Sequence, residues 1–444
     1  MSRVHLNIGL FGFGTVAQGF VAALEQAKGI SANISKIVVR DGGKARSLPA
    51  ELFTTDRNIV LHDPHINVIV ELTDDADAAF EIVKAALENE KAVITANKRL
   101  IAEHFAELVA LQRKHGLPIL YEAAACGSIP IIRNLEEYYD NDLLKGLEGI
   151  FNGSSNFVLS KVFRDGLSFQ DALELAFDEG FLESDPRLDL EGIDAAYKLS
   201  ILIAHAFGVI VAPEDIPAFG ISNLGNPELR FARENGWKLK LVARAAADGD
   251  RIRAVVAPQF VAPSHRLYSV EEEYNAVVLE GAFLEGQMLL GKGAGSHPTG
   301  SAVLSDLSAI SYGYGYEYRK LGAEFSEFAE SGLGVNSAKE GKSGDAGKLG
   351  SALNLGFEVR VYFRYADVGV LSEIQFIEIE ESFRSREYAY LTGRVRLGEL
   401  LRLQRAGKWK DVFFALLPEE KSSVSECEGG SRRGCIGLTF RVIV

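Results

Sequence analysis

Residues 4–27 read VHLNIGLFGFGTVAQGFVAALEQA, and the order of features within them decides the fold. A β-rich apolar run from Val4 meets Gly12-Phe13-Gly14-Thr15-Val16-Ala17, and from Val16 to Ala27 the apolar residues return at helical spacing. Strand, glycine loop and helix in this order form the setting in which a G-x-G-x-x-G/A pattern binds a dinucleotide. Gly12 permits the tight turn, Gly14 lets the backbone approach a pyrophosphate, and the small Ala17 lets helix and strand pack closely. The first turn of the helix presents unpaired N–H groups and the positive end of its dipole to the anion.

Strand-like runs recur at ISKIVVR (34–40), VIVELT (68–73), KAVITA (91–96) and LPILYEA (117–123), with helical patterns at Ala78 to Leu87 and Glu103 to His115. That alternation predicts a doubly wound parallel sheet flanked by helices, an α/β fold. The second strand ends on Arg40-Asp41. At this position an acid serves the ribose hydroxyls of NAD and a basic group serves the 2′-phosphate of NADP. Arg40 comes first, so NADP is expected ahead of NAD, and Asp41 keeps NAD open.

The whole chain has 444 residues, 47% apolar and 24% charged, enough for two or three domains with a substantial core. Its formal charge of −14 repels phosphate backbones and anionic membranes, so neither nucleic acid nor a membrane is an expected partner. Cys126, Cys427 and Cys435 fit neither a disulfide framework nor a zinc pattern, which points to a reducing compartment, the cytoplasm. The longest nearly apolar stretch, Leu199 to Pro213, is broken by His205 and Gly208 and falls short of the roughly 20 residues of a membrane span. The first residues read as a strand rather than a secretory signal.

Beyond Glu122 the pattern changes. A strand at LKGLEGIFN (144–152) is followed by helices at Asn156 to Asp165, Phe169 to Asp178 and Gly192 to Phe207, then by sheet-building runs at 251–261 and 273–283. We expect a dinucleotide-binding domain over 1–130, with a strand contributed again near 295–320, and a second domain over 131–320. Seven glycines between Gly332 and Gly356 predict a linker over 321–356. FEVRVYFRY, QFIEIEESF and EYAYLTGRV predict a small α+β module over 357–418, followed by a loose tail over 419–444.

Chemistry concentrates between Glu183 and Lys198, where five carboxylates (Glu183, Asp185, Asp189, Glu191, Asp194) precede one lysine. Asp194 and Lys198 are one helical turn apart and share a face. An exposed pair at that spacing contributes only about 0.3–0.5 kcal/mol and carries no function. Here Ala195, Ala196, Leu199, Ile201, Leu202 and Ile203 leave the helix almost no polar face, so the pair is expected to be buried. Buried charges cost several kcal/mol, which favours a functional reason for keeping them. A lysine so held can donate or accept a proton. Lys98, in Thr95-Ala-Asn97-Lys98 at the end of an apolar strand, occupies the ligand-facing end of such a sheet, although a generic strand-end lysine would face water. Asn152-Gly-Ser-Ser-Asn156 either binds ligand or caps a helix, and capping is the default.

From Ile8 to Lys320 the chain resembles homoserine dehydrogenases. The resemblance rests on GLFGFGTVAQG, VIVELT, VITANKRLIA, YEAAACGSIPII, GIFNGSSNFVL, GFLESDPRLDLEGIDAAYKLSIL and GKGAGSHPTGSAVLSDL, in that order. It implies a Rossmann domain joined to an α+β region for substrate binding and dimerisation, in a homodimer or dimer of dimers. The implied reaction is the reversible NAD(P)H-dependent reduction of L-aspartate 4-semialdehyde to L-homoserine, within threonine, methionine and isoleucine biosynthesis. Carried over by motif, Lys198 is the proton donor, Asp194 its neighbour in the substrate site and Glu183 the ligand of the substrate's amino group. Lys98 lies by nicotinamide and substrate. Phe13, Thr15, Val16, Arg40, Thr73 and Gly295 join Gly12 and Gly14 in lining the cofactor site, and Glu122 with the carbonyls of Ala125, Gly127 and Ile129 holds a structural sodium ion.

Ser154-Ser155 replaces the more usual pair of threonines, Cys126 stands where a smaller residue is common, and Leu188 takes a place that is acidic in some relatives. Asp367-Val-Gly369-Val-Leu371 is similar to an amino-acid-binding ACT domain but lacks its proline. Two other readings remain: a different NAD(P)-dependent oxidoreductase of amino-acid aldehydes, and a catalytically silent dinucleotide-binding regulator. The intact set of Lys198, Asp194 and Glu183 weighs against the second.

Overall fold

Six short parallel strands, almost wholly apolar, build the first sheet: β1 (Leu6–Phe11), β2 (Ala32–Val38), β3 (Phe53–Thr54), β4 (Val68–Glu71), β5 (Ala92–Thr95) and β6 (Ile119–Leu120). The computed structural model describes residues 4–141, 143–321, 352–409 and 411–419. The sheet runs β3-β2-β1-β4-β5-β6, so the direction of winding reverses between β1 and β4. A crevice outside the carboxyl ends of the strands at that reversal is where such sheets bind ligands. Helices flank the sheet, among them Ala76–Glu88, whose first turn is capped by Asp75 accepting from the Ala78 N–H at 3.0 Å. The helix expected over 103–115 forms over Phe105–His115, and a short helix not expected from the sequence, Lys98–Glu103, precedes it.

The strand expected near 295–320 is not present. Ser296–Ser311 is a helix, and it packs along the Thr15–Gln26 helix. Its sequence is serine-rich, with Val303, Leu307 and Ile310 at helical spacing, and at its closest approach to the neighbouring helix the contact is made by the absence of side chains. A Cβ on Gly19 would lie 2.0 Å from the Ser296 carbonyl oxygen, and one on Gly300 would lie 2.4 Å from the Phe20 nitrogen. The two backbones therefore touch, and the helix that opens on the glycine loop is held from behind.

Nine strands form the second sheet: β7 (Leu144–Ile150), β8 (Lys238–Asp248), β9 (Arg251–Val261), β10 (Tyr274–Gly281), β11 (Leu284–Lys292), β12 (Glu358–Tyr365), β13 (Phe376–Arg384), β14 (Ala389–Arg396) and β15 (Val412–Leu416). Their order is β11-β10-β7-β8-β9-β15-β12-β14-β13. All pairs are antiparallel except β15 on β9, which is parallel and joins the C-terminal strands to the middle of the chain. β12–β15 and the Leu397–Arg405 helix share a core with Phe219, Val255 and Ala257. The last residues of the expected linker are also tied down: Ile252 donates its N–H to the Ala352 carbonyl and accepts from Asn354 on its own carbonyl, each at 2.8 Å. The rest of that linker, and nearly all of the 419–444 tail with Cys427 and Cys435, lie outside the described residues.

Between the two sheets runs the Ile193–Phe207 helix, with 12 of its 15 residues buried. Its far end is anchored by His205, whose Nδ1 pairs with Glu136 at 2.6 Å and whose Nε2 meets the Tyr121 hydroxyl at 2.9 Å. Among the described residues no helix is long and apolar enough to cross a membrane.

The contact between the two helices is open to test. Replacing Gly19 with Ala forces a methyl group into the Ser296 backbone and should cost about 1–3 kcal/mol through overpacking. A thermal melt reads this as a lowered Tm; an unchanged Tm would mean that the helices do not approach as described.

Candidate functional site

The glycine loop forms one wall of the crevice. Gly12 has φ +86° and a Cβ there would lie 2.6 Å from the Leu72 carbonyl oxygen, so both the turn and the β4 side exclude any larger residue. Gly14 caps the Thr15–Gln26 helix, and a Cβ on it would meet nothing: the space in front of this helix end is free for a ligand. A cavity of about 1040 Å³ opens here, with Gly12, Phe13, Gly14, Val16, Arg40 and Thr73 among its lining residues. Thr15 and Gly295 are not among the lining residues. The Ser296 hydroxyl donates to the Thr15 carbonyl at 2.8 Å, and Gly295 caps the helix that begins at Ser296.

Three basic residues that the sequence did not single out, Lys44, Arg46 and Arg57, line the same cavity with Arg40, opposite Asp41 and Asp74. They belong to a stretch without periodic pattern, and only the fold gathers them. Arg40 contacts Asp74 at 3.2 Å, but both side chains are exposed, so the pair is weak and the guanidinium remains available to a ligand.

Under Thr73 lies a second unanticipated residue, Glu71, fully buried at the end of β4. Its carboxyl accepts from the Thr73 N–H (2.6 Å), the Thr73 hydroxyl (2.5 Å) and the Thr95 hydroxyl (2.7 Å). Burial pushes its proton affinity up, and these donors oppose the shift. Thr95 in turn accepts from the Asn97 N–H at 3.0 Å, and the Asn97 amide donates to the Thr73 carbonyl at 3.3 Å while its oxygen caps the helix that starts at Lys98. One hydrogen-bonded chain therefore runs from the cofactor crevice to Lys98.

Lys98 points at the Ile193–Phe207 helix. Its Nζ lies 2.5 Å from Asp194 Oδ1, while Lys198 Nζ lies 2.8 Å from Asp194 Oδ2 and donates to the Phe151 carbonyl at 2.7 Å. Asp194 and Lys198 are 7% and 9% exposed at the side chain and Lys98 is 40% exposed, so a partly open ammonium and a closed one share one buried carboxylate. Burial pushes the Asp194 carboxyl up, but the Lys198 and Lys98 charges outweigh it and hold it well below the usual carboxylate range. Asp194, ahead of the more distant charges of Asp189 and Glu183, raises the proton affinity of Lys98 against the cost of burial.

Glu183 is exposed, on the segment that leads to this cluster. Asn152 ends β7 and does more than cap the Gly153–Phe163 helix: its oxygen accepts from the Ser155 N–H at 2.8 Å, while its nitrogen donates to Asp189 at 2.6 Å and Asp194 at 3.0 Å. Cys126 is buried nearby, where burial pushes its thiol up to about 12 and leaves it a neutral packing group. Glu122 is buried too, and its carboxylate accepts the N–H groups of Ile132 (2.7 Å) and Arg133 (3.0 Å).

Residues 12–122 match the NAD-binding domain model of homoserine dehydrogenase, and residues 130–308 match the homoserine dehydrogenase family model. The homoserine dehydrogenase of Bacillus subtilis is 36% identical over 314 residues, covering 69% of this chain and 72% of that one. That of Helicobacter pylori is 36% identical over 315 residues, covering 69% and 74%. Among solved structures, a homoserine dehydrogenase from Thiobacillus denitrificans superposes with a TM-score of 0.74 at 29% identity, covering 94% of this chain and 99% of that one. A hyperthermophilic archaeal homoserine dehydrogenase in complex with NADPH has a TM-score of 0.61 at 26% identity, covering 70% and 99%. A doubly wound sheet with a glycine-loop crevice, set against two lysines on one buried carboxylate and matched along both domains, has one reading: the chain belongs to the homoserine dehydrogenase family and is an NAD(P)-binding oxidoreductase.

Proposed function

We propose that this chain reduces L-aspartate 4-semialdehyde to L-homoserine, reversibly and with NADPH preferred over NADH, as a step towards threonine, methionine and isoleucine. The observation that carries this reading is the Lys98–Asp194–Lys198 cluster beside the cofactor crevice. Nicotinamide bound in the crevice supplies the hydride. A lysine ammonium has three N–H donors. Lys198 spends one on Phe151 and one on Asp194, which leaves the third for the substrate's carbonyl oxygen. As that oxygen gains charge, the ammonium stabilises it and hands over a proton; in the reverse direction neutral Lys198 takes the proton of the alcohol. Asp194 keeps the lysine in place in both states. Glu183, exposed at the mouth, receives the substrate's ammonium, and Lys98 bridges the substrate side and the nicotinamide side.

Preference for NADP follows from Arg40 backed by Lys44, Arg46 and Arg57, since a 2′-phosphate suits clustered cations. The sodium set of Glu122, Ala125, Gly127 and Ile129 fits as backbone oxygens. Ala125 lies in the last turn of the five-residue Glu122–Cys126 helix and Gly127 and Ile129 just beyond it, where carbonyls are not consumed by a continuing helix, and such hard donors suit a sodium ion. The Glu122 carboxylate is already engaged by Ile132 and Arg133, so it orients the turn. An ion there would brace the turn that packs against the Ile193–Phe207 helix and take no part in hydride transfer.

A homodimer, or a dimer of dimers, is supported by edge strand β11 and its approach, where Phe283, Leu284, Met288 and Leu290 are exposed apolar residues. A cytoplasmic location is supported by the low cysteine usage.

Replacing Lys198 with Ala should lower kcat by about 10²–10⁴-fold while leaving the Kd for NADPH unchanged, because a positioned proton donor is lost. Steady-state kinetics on aspartate semialdehyde and a nucleotide titration check it, and an unchanged kcat removes Lys198 from the mechanism. Arg40→Ala should raise KM for NADPH more than for NADH; equal effects would refute the assignment of the 2′-phosphate to this side chain. A third expectation concerns acid. Because Asp194 is held below its ordinary 3.8 in the folded chain, its contribution to stability is complete above that value and is lost as pH falls through the folded one. Buried Glu71, Glu122 and Asp306 are held above their ordinary values and act in the opposite sense, so the comparison is between wild type and Asp194→Asn. The gap in Tm between the two should be constant near neutrality and shrink below pH 3.8; a gap that persists in strong acid contradicts it.

A further inference from the structure

Asn152 was assigned by its sequence context to helix capping, and half of its side chain does that: the oxygen accepts the Ser155 N–H at 2.8 Å. The other half faces the opposite way. Its two N–H bonds go to different carboxylates, Asp189 Oδ1 at 2.6 Å and Asp194 Oδ2 at 3.0 Å. Asp194 Oδ2 is the same oxygen that holds Lys198, and the residue before Asn152 supplies the carbonyl that holds Lys198 from the other side. The end of β7 thus grips the lysine twice, directly through Phe151 and indirectly through Asn152.

We propose that Asn152 is a positioning residue for the reaction, tying Asp189 to Asp194 and thereby fixing the carboxylate that aims Lys198. This rests on the reading of Lys198 as the proton donor. Two features support it beyond capping. Asn152 is 6% exposed, so its amide donors have no solvent to turn to and are committed to these acids. Two carboxylates that approach one amide would otherwise repel, and the donated N–H groups offset that repulsion. An asparagine does this where serine, threonine or aspartate would cap the helix equally well but could not donate to both acids. The charged groups that face the pair are Lys98, from the start of its own helix, Lys198, and Glu183 through its charge on Lys98.

The test is Asn152→Ser, which keeps a capping oxygen and removes the paired donors. kcat should fall by up to about 100-fold, the scale of a small misplacement of a catalytic group, with the Kd for NADPH unchanged. The acid limb of kcat/KM should move to higher pH, because Asp189 is already raised by burial and loses the Asn152 hydrogen bond that lowers it. A purely structural cap would lower Tm and leave that limb where it was. Should Asn152→Ser fail to fold, Asn152→Asp keeps both the size and the cap, and it should show the same loss of kcat. Wild-type kcat and pH profile in whichever variant folds would overturn the proposal. Lys198→Ala, run alongside, separates the two claims: full activity there refutes the reading of the site, whereas loss there with a wild-type Asn152→Ser refutes only the role of Asn152.

Discussion

Two ammonium groups converge on one buried carboxylate, and the rest of the site is arranged around that imbalance. Asp194 accepts Lys98 on one oxygen and Lys198 on the other. Like charges about 4 Å apart in a protein-like medium of effective dielectric 20 repel by about 4 kcal/mol, so two lysines could not be brought this close without an acid between them. One carboxylate neutralises only one of them. Glu183 and Asp189 lie near enough to act on the partly open Lys98. This suits an amino-acid aldehyde, which brings an ammonium for the acids and an oxygen that becomes negative as hydride arrives.

No single segment could build this cluster. Lys98 comes from the end of β5, Phe151 and Asn152 from the end of β7, and Asp194 and Lys198 from a helix between the two sheets. The two halves are joined by polar contacts as well as apolar packing. Glu71, Thr73, Thr95 and Asn97 connect the floor of the cofactor crevice to the first residue of the Lys98–Glu103 helix. Thr73, which lines the crevice, is therefore tied to the frame that carries Lys98.

Local pattern was enough for the parts of the protein whose chemistry is local. The glycine loop, the alternation of strands and helices, and the Asp194–Lys198 spacing are all set within a few residues, and the apolar flanks of that helix announced its burial. What escaped depends on contacts between distant residues. The helix at 296–311 carries an apolar stripe at Val303, Leu307 and Ile310, but its place against the first helix is set by the approach of Gly300 to Gly19, which no local pattern shows. The basic residues of the crevice come from separate short stretches, irregular chain at Lys44 and Arg46 and the start of a five-residue helix at Arg57, and the second task of Asn152 is visible only once Asp189 and Asp194 stand beside it. The tie of the C-terminal strands to the rest, through the parallel pairing of β15 with β9 and a core shared with Phe219, joins residues far apart in the chain and leaves no local mark.

That pairing matters for the site. Trp409 and Phe414, from the C-terminal part of the chain, pack on the Phe219 ring at 5.5 and 4.7 Å between centroids. Phe219 donates its N–H to the Val256 carbonyl on β9 at 2.9 Å, and the Val256 side chain lies 2.8 Å from where a Cβ on Gly192 would be. Gly192 is the cap from which the Ile193–Phe207 helix departs, two residues before Asp194. The C-terminal strands therefore support the beginning of the helix that carries the acid and the lysine, while His205 fixes its other end. A helix held at both ends keeps its interior side chains in register, so the geometry at Lys198 depends on packing that begins more than 200 residues further along the chain, at Trp409 and Phe414.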